Sequence, residues 1–496
     1  MNAKFPLSRS VNTGKALFFC IVLLSSLFSC VKAVPLRTTS FGDTLYVGGT
    51  GPGNYSTIQD AINHSATGDT VFVYAHSSPY YERVTIPQAI HLIGQDRITT
   101  IIDGQERGSI VTILSDNVEV IGFTVQNGGG ENQGNGIVLN NNSNCVVTHT
   151  IIRNCNCGIY LRDSKNNTLV NNTISENVEG VCLGSGSNDN RILGNTILND
   201  TTHGIYIGIS LFQPTPQPDG NIVMGNTIIG NNDGIFLWCA QNSLIYQNTI
   251  EYSRTFDGIS IEKSENNTIV ENSIMKNRRA GVYFDHVDGP FKNNVVIRNT
   301  LAGNLESGVH IDSHISGIII YQNNFFNNGQ NGYDNWSNQW DNGTSTGNYW
   351  DDYKDVDANG DGIGDTPYNI SGGTNHDRFP LMKPYGDLPL YVDLTSIKDG
   401  YLYVFNHEIV PMNYFLPNPA PTIIIGKITI EVKAIDNTPI DHVAFYIDGK
   451  LKHTCRVPPY TWTWRINPFV QHTISVTGVN SLGETAGDKI NVWKFL

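Results

Sequence analysis

The 496-residue chain is acidic, with a formal net charge of −14 at pH 7, and 15% of its residues are charged. An acidic surface argues against nucleic acids and other polyanions as partners. The cysteines beyond residue 33 are Cys145, Cys155, Cys157, Cys182, Cys239 and Cys455. Their irregular spacing excludes a disulfide framework and a zinc pattern, so we expect buried single thiols, with one bridge left open among the first three.

Residues 1–33 have the layout of a secretory signal peptide. Lys4, Arg9 and Lys15 precede an apolar run at residues 16–28, and small residues follow near Ala33. This order is typical of exported proteins, and the run is shorter than a membrane span requires. We therefore predict a secreted, extracellular or cell-surface protein that does not span the membrane after removal of the signal.

Residues 44–332 are predicted to form a solenoid that begins with a cap. An amphipathic pattern predicts a helix over residues 55–63, followed by strands at residues 70–73 and 90–93. A helix at this point would cover the open end of the first coil, whose apolar core is otherwise exposed.

A short phrase of glycine, aliphatic residue, any residue and aliphatic residue occurs eight times after the cap. Its glycines are Gly136, Gly158, Gly180, Gly204, Gly234, Gly258, Gly281 and Gly308. They lie 22 to 30 residues apart, a period of solenoids and parallel β-helices. Because aliphatic residues alternate with others inside each copy, we predict an all-β, right-handed parallel β-helix with one copy per coil.

An asparagine also recurs in register in the second half of the copies. In-register asparagines at a turn can hydrogen-bond to one another along a stack of coils. The positions are Asn172, Asn195, Asn226, Asn248, Asn272, Asn299 and Asn323, with His149 in the corresponding place of the first copy. We predict that this asparagine has a structural role.

The residues that could carry chemistry are expected on the outward face of the repeat strands. Positions one and three after each glycine are aliphatic and therefore inward, so positions two and four face outward. The fourth position changes along the chain to Glu262, Asp285 and Asp312. Neighbouring parallel strands lie about 4.8 Å apart, so these carboxylates should form a column in which each raises the proton affinity of the next.

This acidic column is the candidate catalytic site. Carboxyls about 5 Å apart suit retaining glycoside hydrolysis, and neighbouring aromatic rings suit sugar binding. Substrate contacts are predicted for Trp238, Tyr283, His286, Asp288 and His310. Two alternatives stay open, a second calcium ion on the column and a solvated acidic face. Asp233 and Asp257, each directly before a repeat glycine, are interpreted as turn formers.

Residues 333–385 depart from the repeat and are predicted to close the solenoid. Trp336, Trp340 and Trp350 are expected to plug the last coil. Oxygen-bearing residues alternate around glycines in a segment predicted to bind a structural calcium ion, with ligands from Asp357, Asn359, Asp361, Ile363 and Asp365. The alternative is a loop of Asx turns without metal.

Residues 388–496 are predicted to form an Ig-like β-sandwich. Short alternating strands recur at intervals of roughly ten residues, and Asp448-Gly449 is a hairpin turn. Trp462, Trp464 and Trp493 are expected in or beside the core. Cys455 is the single cysteine of this region, so no inter-sheet disulfide is expected.

The eight repeats, the entry segment LYVGGTGPGNYSTIQDAI and the closing segments NYWDDY and DGIGDTPY resemble the NosD-like β-helix family over roughly residues 44 to 385. The resemblance implies a pectin-lyase-like solenoid of a class that includes carbohydrate-binding and sugar-hydrolysis modules. It also implies periplasmic copper handling, for which Cys155-x-Cys157 and His310 with His314 are the donors on offer. Neither spacing is specific for copper.

Three functions are therefore considered. The first is a cell-surface protein that binds, and cleaves, an extracellular polysaccharide or cell-surface glycan along the outward face. The second is a non-catalytic surface-layer or adhesion scaffold that presents loops such as residues 211–220. The third is copper handling of the NosD type.

Overall fold

The repeat folds as a stack of coils whose strands form three parallel sheets. The computed structural model describes residues 42–129, 134–209, 216–285, 292–412, 420–465 and 470–495, and all counts refer to these residues. The predicted signal peptide, His286, Asp288 and residues 211–215 lie outside them. The predicted parallel β-solenoid is confirmed.

Strands of the three sheets follow one another around each coil and pair in register with those of the next coil. The first sheet contains Thr44–Val47, Thr70–Val73, His91–Gly94, Glu119–Ile121, Val146–Thr148, Thr168–Val170, Arg191–Leu193, Ile222–Met224, Leu244–Tyr246, Thr268–Val270, Val295–Ile297, Ser316–Tyr321 and Ser337–Gln339. The second contains Ile101–Asp103, Thr124–Gln126, Ile151–Arg153, Thr173–Ser175, Thr196–Leu198, Thr227–Ile229, Thr249–Glu251, Ser273–Met275, Thr300–Ala302, Asn324–Phe326 and Tyr349–Trp350. The third contains Val84–Ile86, Val111–Ile113, Ile137–Asn140, Cys157–Arg162, Glu179–Leu183, His203–Gly208, Asp233–Trp238, Ile259–Glu262, Ala280–Phe284, Ser307–Ile311 and Gly332–Asp334.

The repeat glycines lie in the third sheet, where a side chain would not fit. A Cβ on Gly158 would lie 2.7 Å from the carbonyl oxygen of Gly180 and 2.7 Å from Cγ2 of Ile174 in the core. The next residue, Ile159, is also fully buried. Two consecutive residues thus face inward and the strand bends at the glycine, so the predicted alternation holds after the glycine but not across it.

The predicted asparagine ladder is confirmed. The backbone N–H of each asparagine donates to Oδ1 of the asparagine one coil further on, at 2.8 to 3.0 Å from Asn172 to Asn348. Thr150, not His149, occupies the first place, because its N–H donates to Oδ1 of Asn172. Similar ladders run at the other two corners, for example from Asn167 through Asn190 to Asn221. They satisfy buried backbone groups where no strand pairing is available.

Both ends of the solenoid are capped. The helix Ile58–His64 is N-capped by Thr57, whose Oγ1 accepts from Asp60 N at 3.2 Å, and its apolar side covers the first coil. It begins three residues later than predicted and is followed by a 3₁₀ turn, Ala75–Ser77. None of the helices in the described ranges has the length and apolar character needed to cross a membrane.

At the other end, two of the three predicted tryptophans plug the last coil. Trp340 and Trp350 are each 1% exposed, and the Trp350 ring stacks on Phe325 at 4.3 Å. Trp336 is 47% exposed and packs against His314, because it lies in a turn outside the core. The short strands Tyr368–Asn369 and His376–Asp377 form an antiparallel pair in this cap.

The C-terminal region is a two-sheet sandwich, as predicted. One sheet contains Tyr391–Leu394, Ile428–Ile435 and Tyr460–Trp464. The other contains Tyr401–Val404, His407–Pro411, Thr422–Ile425, Ile440–Ile447, Lys450–Cys455, Val470–Asn480 and Thr485–Phe495. Asp448 and Gly449 both have positive φ and form the predicted hairpin turn. Trp464 is buried and Trp462 packs against the core, whereas Trp493 is 40% exposed.

The sandwich packs against the outer face of the second sheet, a contact that sequence patterns did not predict. Met275, Ala302 and Phe326, at the ends of three successive strands, contact Leu388 and Tyr391. A mostly buried lysine of the solenoid, Lys276, lies at this contact. Its Nζ donates to the carbonyl oxygen of Val392 at 2.7 Å and lies 3.3 Å from Oδ1 of Asp488.

All six described cysteines are free thiols. The disulfide left open among Cys145, Cys155 and Cys157 is not formed. Cys155 explains why: its Sγ donates to the carbonyl oxygen of Arg153 and the side chain belongs to the solenoid core.

Candidate functional site

Outward side chains of the third sheet form two neighbouring files. One file is the second residue after each repeat glycine, as predicted. The other is the residue directly before the glycine, which the bend turns to the same side. Cys182 Sγ, for example, donates to Glu179 Oε2 at 2.7 Å within one strand, and Ser260 Oγ lies 3.2 Å from Asp257 Oδ2 in another. We call the second set the pre-glycine file; it contains Cys157, Glu179, His203, Asp233 and Asp257.

A pocket of about 230 Å³ opens on this face. Its acidic lining comes from Asp233, Asp257, Glu262 and Asp285. Its aromatic lining comes from Phe236, Phe256 and Tyr283, beside Arg279, Ser260 and His203. A larger hollow of about 440 Å³ on the sandwich is lined by Phe405, Gly426, Lys427 and Arg465, and has no acidic or nucleophilic group.

Glu262 and Asp285 lie in neighbouring coils and are hydrogen-bonded to each other. Burial and, second, the charge of Asp285 raise the pKa of Glu262 to about 7. Asp233 adds to the effect and Lys263 opposes it. A carboxyl whose pKa lies near 7 beside a second carboxyl can supply an acid next to a base.

Asp233 and Asp257 accept backbone hydrogen bonds at the turn before the glycine and also face the pocket. Asp233 Oδ1 accepts from Asp257 N at 2.9 Å, and Asp257 Oδ1 accepts from Ala280 N at 2.8 Å. Both carboxylates also face the pocket, and burial raises the pKa of both, that of Asp257 to about 7. Arg279 Nη1 lies 3.5 Å from Asp257 Oδ2 and keeps a positive charge at the pocket wall.

Asp312 belongs to the aromatic row rather than to the pocket lining. Its Oδ2 accepts from Tyr283 Oη at 3.0 Å, and its Oδ1 lies 3.3 Å from His310 Nε2. The His310 ring is stacked between Tyr283 and Tyr333, with centroid distances of 5.1 and 4.5 Å. Asp312 therefore orients Tyr283, and the predicted three-carboxylate column is divided between two environments.

Trp238 lies beside the acidic pair without entering the pocket lining. It is paired in register with Glu262, its ring is 6.0 Å from Phe236, and Lys263 Nζ lies 5.5 Å from its centroid. His286 and Asp288, predicted as further contacts, are outside the described residues.

The pre-glycine file is what the sequence prediction missed as a functional set. The signal was present, because cysteine, glutamate, histidine and aspartate occupy one repeat position in five successive copies. Asp233 and Asp257 at this position were interpreted as turn formers, and strict strand alternation alone would place the position on the inward face. The bend at the glycine, visible only in the stacked coils, reverses the assignment.

One further cluster joins the two files, with Cys157 and Glu179 from the pre-glycine file and Cys182 from the other. Within the described residues, Cys157, Glu179 and Cys182 are the group of His, Cys, Asp or Glu side chains whose candidate ligand atoms lie within 4.8 Å of one another. Both cysteines are buried.

The predicted calcium loop lies within the described residues and is hydrogen-bonded to the cap. Gly364 N donates to Pro380 O at 2.8 Å. Asp357 Oδ1 accepts from Gly360 N at 2.7 Å, and Asp361 Oδ1 accepts from Ile363 N at 2.9 Å. Asp365 Oδ2 accepts from Ala358 N at 2.8 Å. These are Asx-type contacts, and calcium binding stays a prediction.

Comparison with known proteins identifies the family to which the solenoid belongs. The model of the family described as "Periplasmic copper-binding protein (NosD)" matches residues 62–249 and 217–355, more than half of the chain. The chain belongs to the NosD family. A second model, described as a bacterial Ig domain, matches residues 417–476 of this NosD-family chain. A search of curated proteins found no match.

Among solved structures, the NosD-family solenoid is similar to the A-module of mannuronan C-5 epimerase AlgE6 from Azotobacter vinelandii, with 17% identity over 57% of this chain and 90% of that one and a TM-score of 0.44. It is also similar to the catalytic domain of a GH87 alpha-1,3-glucanase, with 14% identity over 64% and 71% of the two chains and a TM-score of 0.43. Similarity at this level says nothing about function.

The family description implies copper, so the donor sets can be tested for it. The pair Cys155 and Cys157 does not fit, because Cys155 faces the core. His310 and His314 do not fit either, because His310 stacks in the row of Tyr283 and His314 packs against Trp336. The cluster of Cys157, Glu179 and Cys182 fits, since two sulfur donors suit a soft ion and favour copper as Cu(I).

Proposed function

We propose that this NosD-family chain is an exported protein that binds a glycan residue in the acidic pocket of the third sheet, and that Glu262 and Asp285 act on it as acid and base. The observation that carries the proposal is the hydrogen-bonded pair of carboxyls, one with a pKa of about 7, in a pocket walled by aromatic rings. The proposal rests on this geometry alone.

The size and lining of the pocket support a single sugar residue as occupant. Its volume of about 230 Å³ is below the roughly 300–1,000 Å³ of pockets that hold drug-sized ligands. The aromatic side chains of the lining, Phe236, Phe256 and Tyr283, offer apolar contact, while Arg279 and the carboxyls offer hydrogen bonds to hydroxyl groups. A longer polysaccharide would extend along the aromatic row toward His310 and Tyr333.

In the proposed cleavage, protonated Glu262 donates its proton to the glycosidic oxygen, and the bond from that oxygen to the anomeric carbon breaks. A water molecule that gives a proton to the Asp285 carboxylate bonds to the same carbon. Glycoside hydrolysis requires two separated carboxyls, roughly 5 Å apart in retaining enzymes and roughly 6.5–9.5 Å apart in inverting ones. A bound sugar has to separate them before both can act. Binding is thus better supported than turnover, and the experiment measures each.

The test uses the full chain on a panel of soluble polysaccharides and oligosaccharides. Binding is measured by calorimetry, and cleavage by the release of reducing ends and by the absorbance of unsaturated sugars. Glu262→Gln and Asp285→Asn are both expected to abolish cleavage. Asp285→Asn should also weaken binding by about 1–3 kcal/mol, the contribution of hydrogen bonds made by charged groups, whereas the amide of Glu262→Gln remains a donor.

Glu271→Gln is the matched control, because Glu271 lies in the same coil at the corner between the first and second sheets, where it pairs with Arg298 at 3.7 Å. This variant should behave as wild type. If all three variants bind equally, the pocket is not the site. If the wild type binds no glycan on the panel, the scaffold function is favoured instead.

A further inference from the structure

The thiol cluster on the coils before the pocket has the dimensions of a metal site. Cys182 Sγ lies 2.7 Å from Glu179 Oε2, and Cys157 Sγ lies 3.5 Å from the same oxygen. Two ligands of a tetrahedral ion with metal–sulfur and metal–oxygen distances of about 2.3 and 2.1 Å are separated by about 3.6 Å. Small side-chain rotations are therefore enough to place the three atoms around one ion.

A fourth donor stands next to the cluster. His203 Nδ1 lies 3.5 Å from Glu179 Oε1 and, although buried, has no hydrogen-bond partner. Its Nε2 faces Asp233 Oδ2 at 3.9 Å. A carboxylate on this side of the ring is typical of histidines that bind a metal through their other nitrogen. His203 also lines the acidic pocket and so connects the cluster to the open face.

The surroundings exclude water from the sulfur atoms. Cys157 is 5% exposed and Cys182 is 2% exposed. Tyr206 lies beside them, and its Oη donates to the carbonyl oxygen of Ile209 at 3.0 Å. A metal–thiolate bond is stronger in such a site than in water, because the medium screens the charges less.

We propose that Cys157, Glu179, Cys182 and His203 form a binding site for one thiophilic cation, Cu(I) or Zn(II). Both ions accept two thiolates with nitrogen or oxygen donors, whereas calcium and magnesium require oxygen ligands. Binding releases the two thiol protons to solvent, so no oxidant or reductant is needed. The site shares His203 with the lining of the proposed glycan pocket, but Cys157, Glu179 and Cys182 lie outside that lining, so metal binding does not depend on glycan binding.

The experiment uses the reduced full-length chain, stripped of metal and titrated anaerobically with Zn(II) or Cu(I) against a chromogenic chelator. One equivalent of one of the two ions is expected to bind, and competition between them identifies which is preferred. Cobalt(II) supplies an independent readout, since sulfur ligation produces a near-ultraviolet charge-transfer band. Cys157→Ser, Cys182→Ser and Glu179→Gln should each weaken binding at least about tenfold.

Cys455→Ser, a cysteine variant in the sandwich, is the control and should bind as wild type. Glu179→Gln changes no buried volume and keeps the test valid if a serine variant fails to fold. Binding without the cobalt–sulfur band, or equal binding by Cys455→Ser and Cys182→Ser, would overturn the site. So would a Cys157–Cys182 disulfide found by mass spectrometry in protein isolated without reductant and resistant to mild reduction.

Discussion

At the scale of single residues, the raised pKa of Glu262 makes the pocket sensitive to pH near neutrality. Burial and the neighbouring carboxylate raise the pKa of Glu262 to about 7, so this side chain is a hydrogen-bond donor below that pH and an acceptor above it. Asp257, whose pKa is also about 7, faces the same pocket.

We predict that glycan affinity falls as the pH rises through about 7. Glu262→Gln, whose amide remains a donor, should remove this dependence. The measurement is calorimetric affinity between pH 5 and 9 for both proteins. If the pH midpoint of the affinity is unchanged in the variant, Asp257 is the titrating group instead of Glu262.

The asparagine ladders at the corners of the coils include one aspartate. Asp200 replaces asparagine in one of them: its Oδ1 accepts from Asn177 N at 2.8 Å, while its buried Oδ2 has no partner. Burial raises the pKa of Asp200 to about 8, above the usual value. This group therefore stabilises the fold below about pH 4, and its contribution is lost as the pH rises through about 8.

Asp200→Asn should raise the free energy of unfolding at pH 8 by about 1–3 kcal/mol, because the amide can continue the ladder to Asn231. The reverse change, Asn195→Asp in the confirmed ladder, should lower it by a similar amount. Urea unfolding at pH 5 and pH 8 measures both. Equal effects at the two pH values would contradict the assignment to a buried carboxyl.

Residue patterns predicted the face of the solenoid better than the site on it. Glu262, Asp285, Tyr283 and His310 lie together on the outward face as alternation requires. Asp233 and Asp257 were interpreted only as turn formers. Their position facing the pocket results from the bend at the glycine, and that bend depends on contacts with the next coil. No periodicity within one copy contains that information.

At the scale of elements, the loop of residues 357–365 is the least regular part of the cap, and its Asx contacts hold it in one conformation. Calcium would bind by replacing these backbone contacts with its own. The oxygen-rich spacing that predicts the ion and the Asx turns that compete with it come from the same residues, so the sequence alone cannot decide between them.

We predict that a calcium chelator lowers the melting temperature of the wild type, since an ion that binds only the folded state stabilises it. Asp361→Ala should melt lower and be insensitive to chelator. Asp355→Ala, an exposed aspartate just outside the loop, is the control and should respond as wild type. If wild type ignores chelator, the loop is an Asx-turn loop.

At the scale of the whole molecule, several polar contacts join the sandwich to the solenoid. Lys433 of the sandwich donates to Asp351 Oδ2 at 2.7 Å, and Lys276 of the solenoid makes a second group of contacts. Lys276 Nζ reaches Asp488, Asp393 and Val392 O in a contact from which most solvent is excluded. Burial raises the pKa of Asp393 despite the lysine. The contact residues come from distant parts of the chain, which is why local patterns predicted two domains but not their packing.

Lys276→Met should destabilise this contact by about 3–5 kcal/mol, because it leaves buried carboxylates without their cation. Hydrogen exchange should then increase in residues 391–394 and 485–489 while the solenoid ladders stay protected. Lys165→Met, an exposed lysine on the solenoid, is the control. Unchanged exchange in the Lys276 variant would show that the apolar contact and the remaining polar contacts, such as Lys433 with Asp351, hold the sandwich without this lysine.

The bend at each repeat glycine has a consequence for how such a chain can change. It aligns one residue per coil in a file, and each coil advances that file by about 4.8 Å. The interval between the proposed thiol ligands and the pocket carboxylates is therefore counted in whole coils, and a coil gained next to the one that carries His203 would move this histidine away from one of the two proposed sites by one fixed step.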